Sequence, residues 1–566
     1  MESTPTPSSS TAETSSRQEE RSLFANFRLV SLMTFLSRIL GLVRDMGMAM
    51  LFGNGPIMDA FSIAFRVPNL ARRLFGEGAL STAFLPAFIH EREQQGLTSA
   101  WRLATATLVW LAQFLCAVVL AGLLFLVALY AAGFDSAEYQ LLFGLTAVML
   151  PYLVLICLVA QISAVMHAHN SFGWPAFSPL ILNGLWIIAI WGVAPWCASP
   201  ESQVYVMAVT ILIAGGVQLV SLFGPLQRLG YRYASDWRDA RSQVRDVIRG
   251  MMPVLIGLSI AQINSVSDSL IAWGFSAPVE IIEPGDGLLI ASWNLAYPLE
   301  PGTASALYFG QRLLQFPLGL FGLALGTVLF PLMTRHAAAQ RIDRMQRTLL
   351  LGLKQVIGVG LPASAGMIIL AGPITRLLFE YGQFTSDDSV QTSQMIAAYG
   401  AAVWSSCALL ILHRGFYALG DRLTPLYVGL QMVVLNLILN FSLIWIWEGV
   451  GLAISTAICA AVQVVLVIHK FERQIGRLDR GELGKTILQT TLAVTAMSVV
   501  CGGLLFLLPE AVSFIGRLRN VVVPMVAAIG VYFLAAWWFK MDFLWALFRR
   551  RGMEQLNSDE DDLKAE

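Results

Sequence analysis

Arginines occur inside apolar segments of this chain that are long enough to cross a membrane. Counting about 1.5 Å of rise per residue, Arg38 lies roughly 18 Å from the start of the first such segment. On the same rise, Arg66 and Arg72 lie roughly 10 and 20 Å below the outer end of the second segment, and Arg312 lies in a later one. A buried arginine costs between about 2.5 and 17 kcal/mol. Such residues persist only in a wet cavity, in an ion pair or against an anionic ligand.

Pairing with neighbouring acids is the structural alternative for these arginines. Arg44 with Asp59, or Arg38 with Asp45, would form such a pair. Only two nearby acids face five arginines, so a cationic surplus remains and favours a cavity that receives an anion. The planar fork of arginine suits phosphate. The residues predicted to form the substrate-binding site are Arg38, Arg44, Asp59, Arg66, Arg72 and Arg312, with Asp59 orienting Arg44 or Arg72.

A second group of polar residues lies in later apolar segments and consists of Asp268, Asn436, Asn440 and Thr456. Asn436 and Asn440 are four residues apart, so they share one helix face. Hard cations prefer carboxylate, amide and hydroxyl oxygens, so the group predicts a cation site for Na⁺, with a proton on Asp268 as the alternative. Hydrogen bonding between helices is the competing explanation. No other cofactor is predicted.

The composition is that of a membrane protein. The 566 residues are 56% hydrophobic and only 13% charged, whereas a soluble globular protein carries about 25% charged residues. These values exclude an ordinary cytosolic enzyme and a disordered protein. Lysine plus arginine and aspartate plus glutamate both number 37, so no basic excess points to nucleic acid as a partner.

Apolar segments of spanning length recur along most of the chain. A span needs about 20 residues, and the alternating pattern of a membrane β-barrel is absent from the sequence. We therefore predict an all-α polytopic membrane protein with about 14 transmembrane helices. The predicted helices cover residues 26–52, 59–89, 103–132, 138–166, 175–196, 202–225, 248–273, 304–334, 348–371, 389–419, 424–447, 449–469, 486–508 and 518–540.

Basic residues set the predicted orientation of these helices. They cluster in the loops after the sixth, eighth and twelfth helices and in the C-terminal tail, whereas residues 251–311 contain no lysine or arginine. Both termini are therefore predicted to be cytoplasmic, and segment 274–302 is predicted to be periplasmic. Arg517 and Arg519, between the last two helices, are the main exception.

An internal repeat supports two halves. Residues 79–86 and 324–331 both read Ala-Leu-x-Thr-x-x-x-Pro, and an arginine precedes each of them. Both stretches fall on even-numbered predicted helices, which run in the same direction. The repeat therefore predicts parallel six-helix halves followed by two appended helices.

Two further features have ordinary explanations. Gly322 and Gly326 form a GxxxG motif, which is typical of close helix packing. His413 and Arg414 fall near the cytoplasmic end of the tenth predicted helix. Snorkelling of their side chains to the interface explains them about as well as a gate does.

Several of these motifs together resemble the MurJ/MviN family of lipid II flippases, most specifically in helices 1, 2 and 8. The first helix carries Ser37-Arg38-Ile39-Leu40-Gly41-Leu42-Val43-Arg44-Asp45. The second carries Asp59-Ala60-Phe61, Pro68-Asn69-Leu70 and Arg72-Arg73-Leu74-Phe75-Gly76-Glu77-Gly78-Ala79. The eighth carries Arg312-Leu313-Leu314-Gln315-Phe316-Pro317 and Gly322-Leu323-Ala324-Leu325-Gly326-Thr327. Later matches are Tyr381-Gly382-Gln383-Phe384-Thr385, Gly415-Phe416-Tyr417-Ala418 and Thr424-Pro425.

The resemblance implies the fold of the multidrug/oligosaccharidyl-lipid/polysaccharide exporter superfamily, with two six-helix lobes around a V-shaped central cavity. The implied divisions are a disordered cytoplasmic tail at 1–24, an N-terminal lobe at 25–229, a C-terminal lobe at 230–470 with a periplasmic insert at 274–302, a lipid-tail groove formed by the last two helices at 471–545, and a cytoplasmic tail at 546–566. It carries the family's cavity arginines over to Arg38, Arg44, Arg72 and Arg312, and its helix 2 acid to Asp59.

Two departures from the family pattern stand out. Gln311 precedes Arg312, where family members often have an acidic residue, and segment 274–302 is longer than usual.

The function implied is movement of lipid II from the cytoplasmic to the periplasmic leaflet of the bacterial inner membrane by alternating access. No bond changes, so the chain is predicted not to be an enzyme, and it is predicted to act as a monomer with lipid II and membrane lipids as partners. A lipid-linked oligosaccharide flippase or a drug/cation antiporter of the same superfamily is the alternative, although cationic drugs call for acidic cavity residues. A membrane glycosyltransferase would need acidic metal-binding motifs, and the acids of the 274–302 segment lack that spacing.

Overall fold

The computed structural model describes residues 9–72, 74, 80–277, 288–290 and 293–545. Part of the helix 2 family motif (73 and 75–79), most of the predicted insert and the predicted C-terminal tail (546–566) lie outside these residues. The described chain is almost entirely α-helical, which confirms the predicted all-α class. It forms two compact units, which we call the N-terminal unit (residues up to 51, and 60–259) and the C-terminal unit (52–59, and 260 onward).

The described residues form nineteen α-helices. The first eight are α1 (Ser9–Phe52), α2 (Pro56–Ala71), α3 (Leu80–Gln94), α4 (Leu97–Ala131), α5 (Ala137–Met149), α6 (Tyr152–Ala168), α7 (Gly173–Ile188) and α8 (Pro200–Arg228). Then come α9 (Arg241–Gly274), α10 (Thr303–Pro317), α11 (Leu323–Ala338), α12 (Ile342–Ile369), α13 (Ala371–Leu378), α14 (Ser386–Gly400) and α15 (Val403–Ala418). The last four are α16 (Leu423–Ile475), α17 (Arg480–Leu507), α18 (Phe514–Trp538) and α19 (Asp542–Trp545).

Short irregular elements complete the chain. A π-helical turn and a 3₁₀ turn extend α7 over Ala189–Val193 and Ala194–Trp196, and a second π-helical turn, Leu318–Gly322, joins α10 to α11. A 3₁₀ turn at Trp237–Ala240 precedes α9. Strands β1 (Leu288–Ile290) and β2 (Trp293–Leu295) form an antiparallel hairpin in which Leu288 pairs with Leu295.

Ten helical segments in the described residues are long and apolar enough to cross a membrane. Four further predicted helices do not add to this number. One is merged with its neighbour in α16, and the predicted helices that correspond to α1, to α2 with α3, and to α9 are not among the ten. The chain is thus polytopic.

Helix α1 begins earlier than predicted. It starts at Ser9, inside the segment expected to be disordered, and runs without interruption to Phe52. The polar part of α1 contains Ala, Glu, Gln and Arg, which are good helix formers. Helix propensity and continuity with the apolar helix therefore extend α1 into this polar segment.

Helix α16 is a helical hairpin. Its backbone leaves the helical region at Trp447 (φ −126°) and Glu448 (φ 49°), at the boundary predicted between residues 447 and 449. Beyond this kink the chain folds back so closely that a Cβ on Gly451 would lie 2.6 Å from the carbonyl oxygen of Leu443. The kink therefore places the two halves of α16 side by side.

The last three helices pack on α12 of the same unit. Tyr532 and Cys501 belong to a buried apolar cluster that also takes in Phe543 of α19. The hydroxyl of Tyr532 donates to the carbonyl oxygen of Gly358 in α12. This packing fixes the appended helices to the C-terminal unit.

Arg517, an exception to the predicted charge distribution, has a structural role. Its side chain is only 11% exposed, and Nη2 donates to Glu380 Oε1 at 2.9 Å. Nη1 donates to the backbone oxygens of Arg376 and Glu380 at 2.9 and 2.7 Å. The guanidinium also lies 5.1 Å from the centre of the Tyr381 ring. Through these contacts Arg517 joins the start of α18 to the end of α13.

Candidate functional site

The most buried of the predicted arginines, Arg44, lies in a polar site inside the N-terminal unit. It is 5% exposed, and its Nε and Nη2 donate to Asp45 Oδ1 at 3.0 and 2.7 Å. Nη1 donates to Asn183 Oδ1 of α7 at 3.0 Å. Asn183 in turn donates to the backbone oxygen of Ser37, which lies about two turns before Arg44 in α1. Arg44 therefore forms its ion pair with Asp45. The two pairs considered from the sequence, Arg38–Asp45 and Arg44–Asp59, are not formed.

An aromatic surface supports the same guanidinium. The Cζ atom of Arg44 lies 4.4 Å from the ring centre of Trp186, which is fully buried. Phe61 and Phe65 of α2 contact the edge of this ring at centroid distances of 5.6 and 5.2 Å. Cation–π contact and ion pairing therefore hold Arg44 in one orientation.

The other N-terminal arginines are more accessible. Arg38 is exposed and makes no hydrogen bond or ion pair with any other residue that the structure describes. Arg66 is half-buried. Arg72 is half-buried too, and its Nε and Nη2 both donate to Asn69 Oδ1 at 3.2 Å. The N-terminal unit therefore combines one fixed arginine with three that solvent reaches.

Asp59 caps the helix that carries Arg312. It belongs with residues 52–59 to the C-terminal unit and is 2% exposed. Its two carboxylate oxygens accept hydrogen bonds from the backbone N–H groups of Gly302 (2.8 Å) and Ser305 (2.6 Å) at the start of α10. A carboxylate at a helix N-terminus satisfies N–H groups that lack partners within the helix. The sequence predicted that Asp59 orients an arginine and did not predict this cap.

Close backbone contacts hold the capping segment in place. A Cβ on Gly302 would lie 2.9 Å from the carbonyl oxygen of Asn54, and a Cβ on Gly53 would lie 2.7 Å from that of Gln383. The Asn54 amide donates to Thr392 Oγ1 of α14 at 2.8 Å. Glycine is required at 53 and 302 because any side chain would separate these backbones.

Arg312 lies two turns into α10. It is half-buried, and its Nη2 donates to the hydroxyl of Tyr308 at 3.1 Å, with Cζ 5.1 Å from the ring centre. The preceding Gln311 exchanges hydrogen bonds with Ser265 of α9 at 3.2 and 3.3 Å. The residue that departs from the family pattern thus makes a neutral contact between α9 and α10.

The four residues of the predicted cation group lie together in the C-terminal unit. Asn440 Nδ2 donates to Asp268 Oδ1 at 2.7 Å and to Asn436 Oδ1 at 3.2 Å. Thr456 Oγ1 donates to Asp268 Oδ2 at 3.3 Å. The kink of α16 brings in a fifth member, Ser455, which accepts from Asn436 Nδ2 at 3.1 Å and donates to Asn440 Oδ1. Asn436, Asn440 and Ser455 are fully buried, and Asp268 is 4% exposed.

This network offers oxygen donors of the right chemistry for a hard cation, but not in their present orientation. The amide nitrogen of Asn440, not its oxygen, faces the carboxylate of Asp268. A bound metal ion would require the Asn440 amide to rotate so that its oxygen points to Asp268, because metal ions take oxygen rather than N–H groups. A proton on Asp268 requires no such rotation of the amide. Within the described residues no group of three or more His, Cys, Asp or Glu side chains could hold a metal ion.

Comparison with known proteins decides the family. A family model described as lipid II flippase MurJ matches residues 48–521, which is most of the chain. The chain belongs to the MurJ family. The resemblance carried by helices 1, 2 and 8 is therefore confirmed.

Individual MurJ relatives agree with this assignment. The chain is 31% identical over 491 residues to a Vibrio cholerae protein named "Probable lipid II flippase MurJ", covering 84% of this chain and 88% of that one. Its fold is similar to a solved structure of lipid II flippase MurJ in an inward closed conformation, with a TM-score of 0.70 at 22% identity, covering 92% of this chain and 100% of that one. An inward-facing MATE multidrug resistance transporter of the MOP superfamily shares the fold with a TM-score of 0.62 at 12% identity, over 78% of this chain and 96% of that one.

MurJ membership fixes the broad class of the protein. With ten helices able to cross a membrane, the chain is a multi-pass protein of the bacterial inner membrane. The family consists of transporters of a lipid rather than catalysts.

Sequence reasoning missed Asn183, Ser455 and Tyr308 as neighbours of the predicted residues. Asn183 is the clearest case, because a lone amide in an apolar helix is a signal for an intramembrane polar partner. Ser455 stands next to the predicted Thr456, and Tyr308 stands four residues before Arg312, on the same helix face. Their spacing could have indicated the contacts, but the choice of partner depends on packing.

Proposed function

We propose that this chain flips lipid II, moving the lipid-linked peptidoglycan precursor from the cytoplasmic to the periplasmic leaflet by alternating access. The observation that carries the proposal is the match of the lipid II flippase family over residues 48–521. The arginines within the membrane-spanning helices support it, because diphosphate is the anionic part of such a substrate. Covalent chemistry is not part of the proposal, so the chain acts as a transporter and not as an enzyme.

The arginines take different parts in binding the diphosphate. Arg38, Arg66, Arg72 and Arg312 reach solvent and are proposed to contact the phosphate oxygens directly. Arg44 is held in place by its contacts with Asp45, Asn183 and Trp186, so it offers its remaining N–H groups without losing side-chain entropy on binding. Asp59 acts indirectly, by fixing the start of the helix that carries Arg312.

Apolar surface on the appended helices is proposed to contact the polyprenyl tail. A groove of about 410 Å³ is lined by Leu361 of α12 and by Thr491, Val494, Thr495, Ser498 and Val499 of α17. Its lining is mostly apolar, and large side chains such as Val499 and Phe506 are exposed on the same helix. A tail that stays in this groove would leave only the polar head group to cross the membrane.

Binding and transport test the assignment of the arginines. A charge-assisted hydrogen bond contributes about 1.5–3 kcal/mol, so Arg38, Arg72 or Arg312→Ala should weaken lipid II binding roughly ten- to hundredfold. Arg→Lys should lie between wild type and Ala, because lysine keeps the charge but loses the bidentate fork. The measurements are lipid II binding to purified protein and rescue of bacteria depleted of their own lipid II flippase. Wild-type binding and rescue by all the Ala variants, at normal expression, would contradict the cationic mechanism.

Ion coupling is proposed to reside at Asp268. Its neutral donors Asn440 and Thr456 allow either Na⁺ or a proton to be exchanged there. Asp268→Asn should fold normally but slow transport and remove its dependence on Na⁺ or pH. Asp135→Asn, an exposed acid outside the helices, is the control. Transport by Asp268→Asn at the wild-type rate would contradict coupling to Na⁺ and coupling to protons alike.

Orientation and oligomeric state complete the proposal. Both termini are proposed to face the cytoplasm, with segment 274–302 in the periplasm and the chain acting as a monomer. In a cysteine-free background, Ser276→Cys should react with an impermeant thiol reagent in intact cells, and the exposed Ser242→Cys should react only after lysis. The reverse pattern would invert the topology.

A further inference from the structure

Helices α11 and α15 of the C-terminal unit pack side by side through the GxxxG motif of α11. Gly322 faces Cys407 and Leu410: a Cβ at this glycine would lie 2.7 Å from Leu410 Cδ1 and 3.2 Å from Cys407 Sγ. One turn later, Gly326 faces Arg414 instead. A Cβ there would lie 2.5 Å from Nη1 and 2.8 Å from Cζ of Arg414. The second glycine of the motif thus makes room for a guanidinium group and not for another helix backbone.

Arg414 is half-buried, and the buried part of its guanidinium has no polar partner. Its Nη1 is buried and has no hydrogen-bond partner. Within the part of the chain that the structure describes, Arg414 makes no ion pair and no hydrogen bond. By contrast, Arg44 donates three hydrogen bonds. A buried donor without a partner is costly.

Snorkelling does not account for this geometry. Arg414 lies four residues before the end of α15 at Ala418, which is about 6 Å along the helix axis. Side chains in helices lean towards the N-terminus, away from that end. The guanidinium accordingly rests on Gly326, which is twelve residues, or about 18 Å, before the end of α11. The charge is directed along the helix pair and not out to the nearest helix end.

We propose that Arg414, seated on Gly326, is a second oxyanion-binding site of the C-terminal unit, for a lipid-borne phosphate. The site lies on the same continuous helical span as Arg312, which is fourteen residues or about 21 Å before Gly326. Lipid II carries a diphosphate, and anionic phospholipids carry a phosphate diester, so both offer the same chemistry. Arginine binds such groups through its planar fork. The site supplies the head group with a second contact along α10 and α11, and this role rests on the proposed flippase function.

Two glycine variants separate anion binding from helix packing. Gly326→Ala displaces the flexible end of Arg414, whereas Gly322→Ala displaces Leu410 and Cys407 in the same motif. With protein in phosphatidylcholine nanodiscs, Arg414→Gln and Gly326→Ala should each weaken lipid II binding roughly tenfold or more. Gly322→Ala should bind like wild type, and Arg414→Lys should lie between wild type and Arg414→Gln. Thermal unfolding verifies that each variant is folded. If Arg414→Gln does not fold, Gly326→Ala still tests the inference.

A second arm identifies the source of the phosphate. Wild type and Arg414→Gln are compared for retention of phosphatidylglycerol against phosphatidylcholine from mixed vesicles. Loss of phosphatidylglycerol retention with unchanged lipid II binding assigns the site to phospholipid phosphate, and the opposite result assigns it to the substrate. Unchanged binding in both arms, or equal weakening by Gly322→Ala and Gly326→Ala, overturns the inference. If wild type itself does not bind lipid II, the flippase proposal fails, and the phospholipid arm alone then decides the role of Arg414.

Discussion

In the N-terminal unit, the charge of Arg44 lies 2.7 Å from a carboxylate oxygen of Asp45, and both side chains are about 6% exposed. In the C-terminal unit, the buried carboxylate of Asp268 accepts its hydrogen bonds from two neutral side chains, Asn440 and Thr456. The first polar core is neutralised by its own residues. In the second, neutral side chains donate hydrogen bonds to a carboxylate, and the proposal of ion coupling rests on this arrangement. A fixed ion pair suits a binding surface, and a carboxylate held by dipoles suits coupling.

The largest effect should follow from breaking the ion pair. Arg44→Ala removes both donors to Asp45 and the donor to Asn183, so it should lower the free energy of unfolding by about 3–5 kcal/mol. Arg38→Ala, on the same helix but exposed, should change it by no more than about 0.5 kcal/mol. Thermal and chemical unfolding in detergent measure both. Similar losses for the two variants would show that Arg44 is not structurally fixed.

The neutral network should be less sensitive. Asn440→Ala removes the donor to Asn436 Oδ1, one acceptor of the Ser455 hydroxyl and one donor to Asp268, with an expected loss of about 2–3 kcal/mol. Ser442→Ala, an exposed hydroxyl on the same helix, is the matched control. A loss larger than that of Arg44→Ala would reverse the contrast between the two cores.

The kink in α16 can be tested through its glycine. Gly451→Ala places a Cβ 2.6 Å from the backbone oxygen of Leu443, so the two halves of α16 must move apart. We expect a loss of about 1–2 kcal/mol and weaker coupling at Asp268, because Ser455 and Thr456 shift away from Asn440. In Gly429→Ala the new Cβ would meet only Ile260 Cγ2, at 3.6 Å, and stability should be unchanged. If the two glycine variants unfold alike, the hairpin does not position the network.

The smallest effect concerns a carboxylate outside the membrane-spanning helices. Burial raises the pKa of Asp421, but hydrogen bonds from Thr424, Gln474 and Leu423 outweigh burial and hold that pKa below its ordinary value. A lowered pKa in the folded state means that the stabilisation is present near neutral pH and is lost as the pH falls through the folded pKa. Wild type should therefore unfold at a higher temperature than Asp421→Asn near pH 7, with the gap closing towards about pH 3. A gap that widens on acidification would refute this assignment.

Local patterns predicted much of the fold and part of the site. Apolar length located the helices, and the α16 boundary at residues 447–449 was predicted correctly because Trp447, Glu448 and the following glycine interrupt an apolar run. The four-residue spacing of Asn436 and Asn440 predicted a shared face, and in the structure Asn440 donates to both Asn436 and Asp268. Helix α1 begins upstream of the predicted start at residue 26, because helix propensity and continuity with an apolar helix also count.

The sequence by itself determined which segments are helices and which polar residues are buried in them, because hydrophobic length and helical spacing are local properties of the chain. Only the tertiary structure decided the partners. Arg44 donates to Asn183, 139 residues away, and Asp59 caps α10, 243 residues away. Arg414 lies on Gly326 because the missing Cβ leaves room for its guanidinium group at that point. Such choices depend on which helix faces pack together, and no short-range pattern in the sequence encodes that packing.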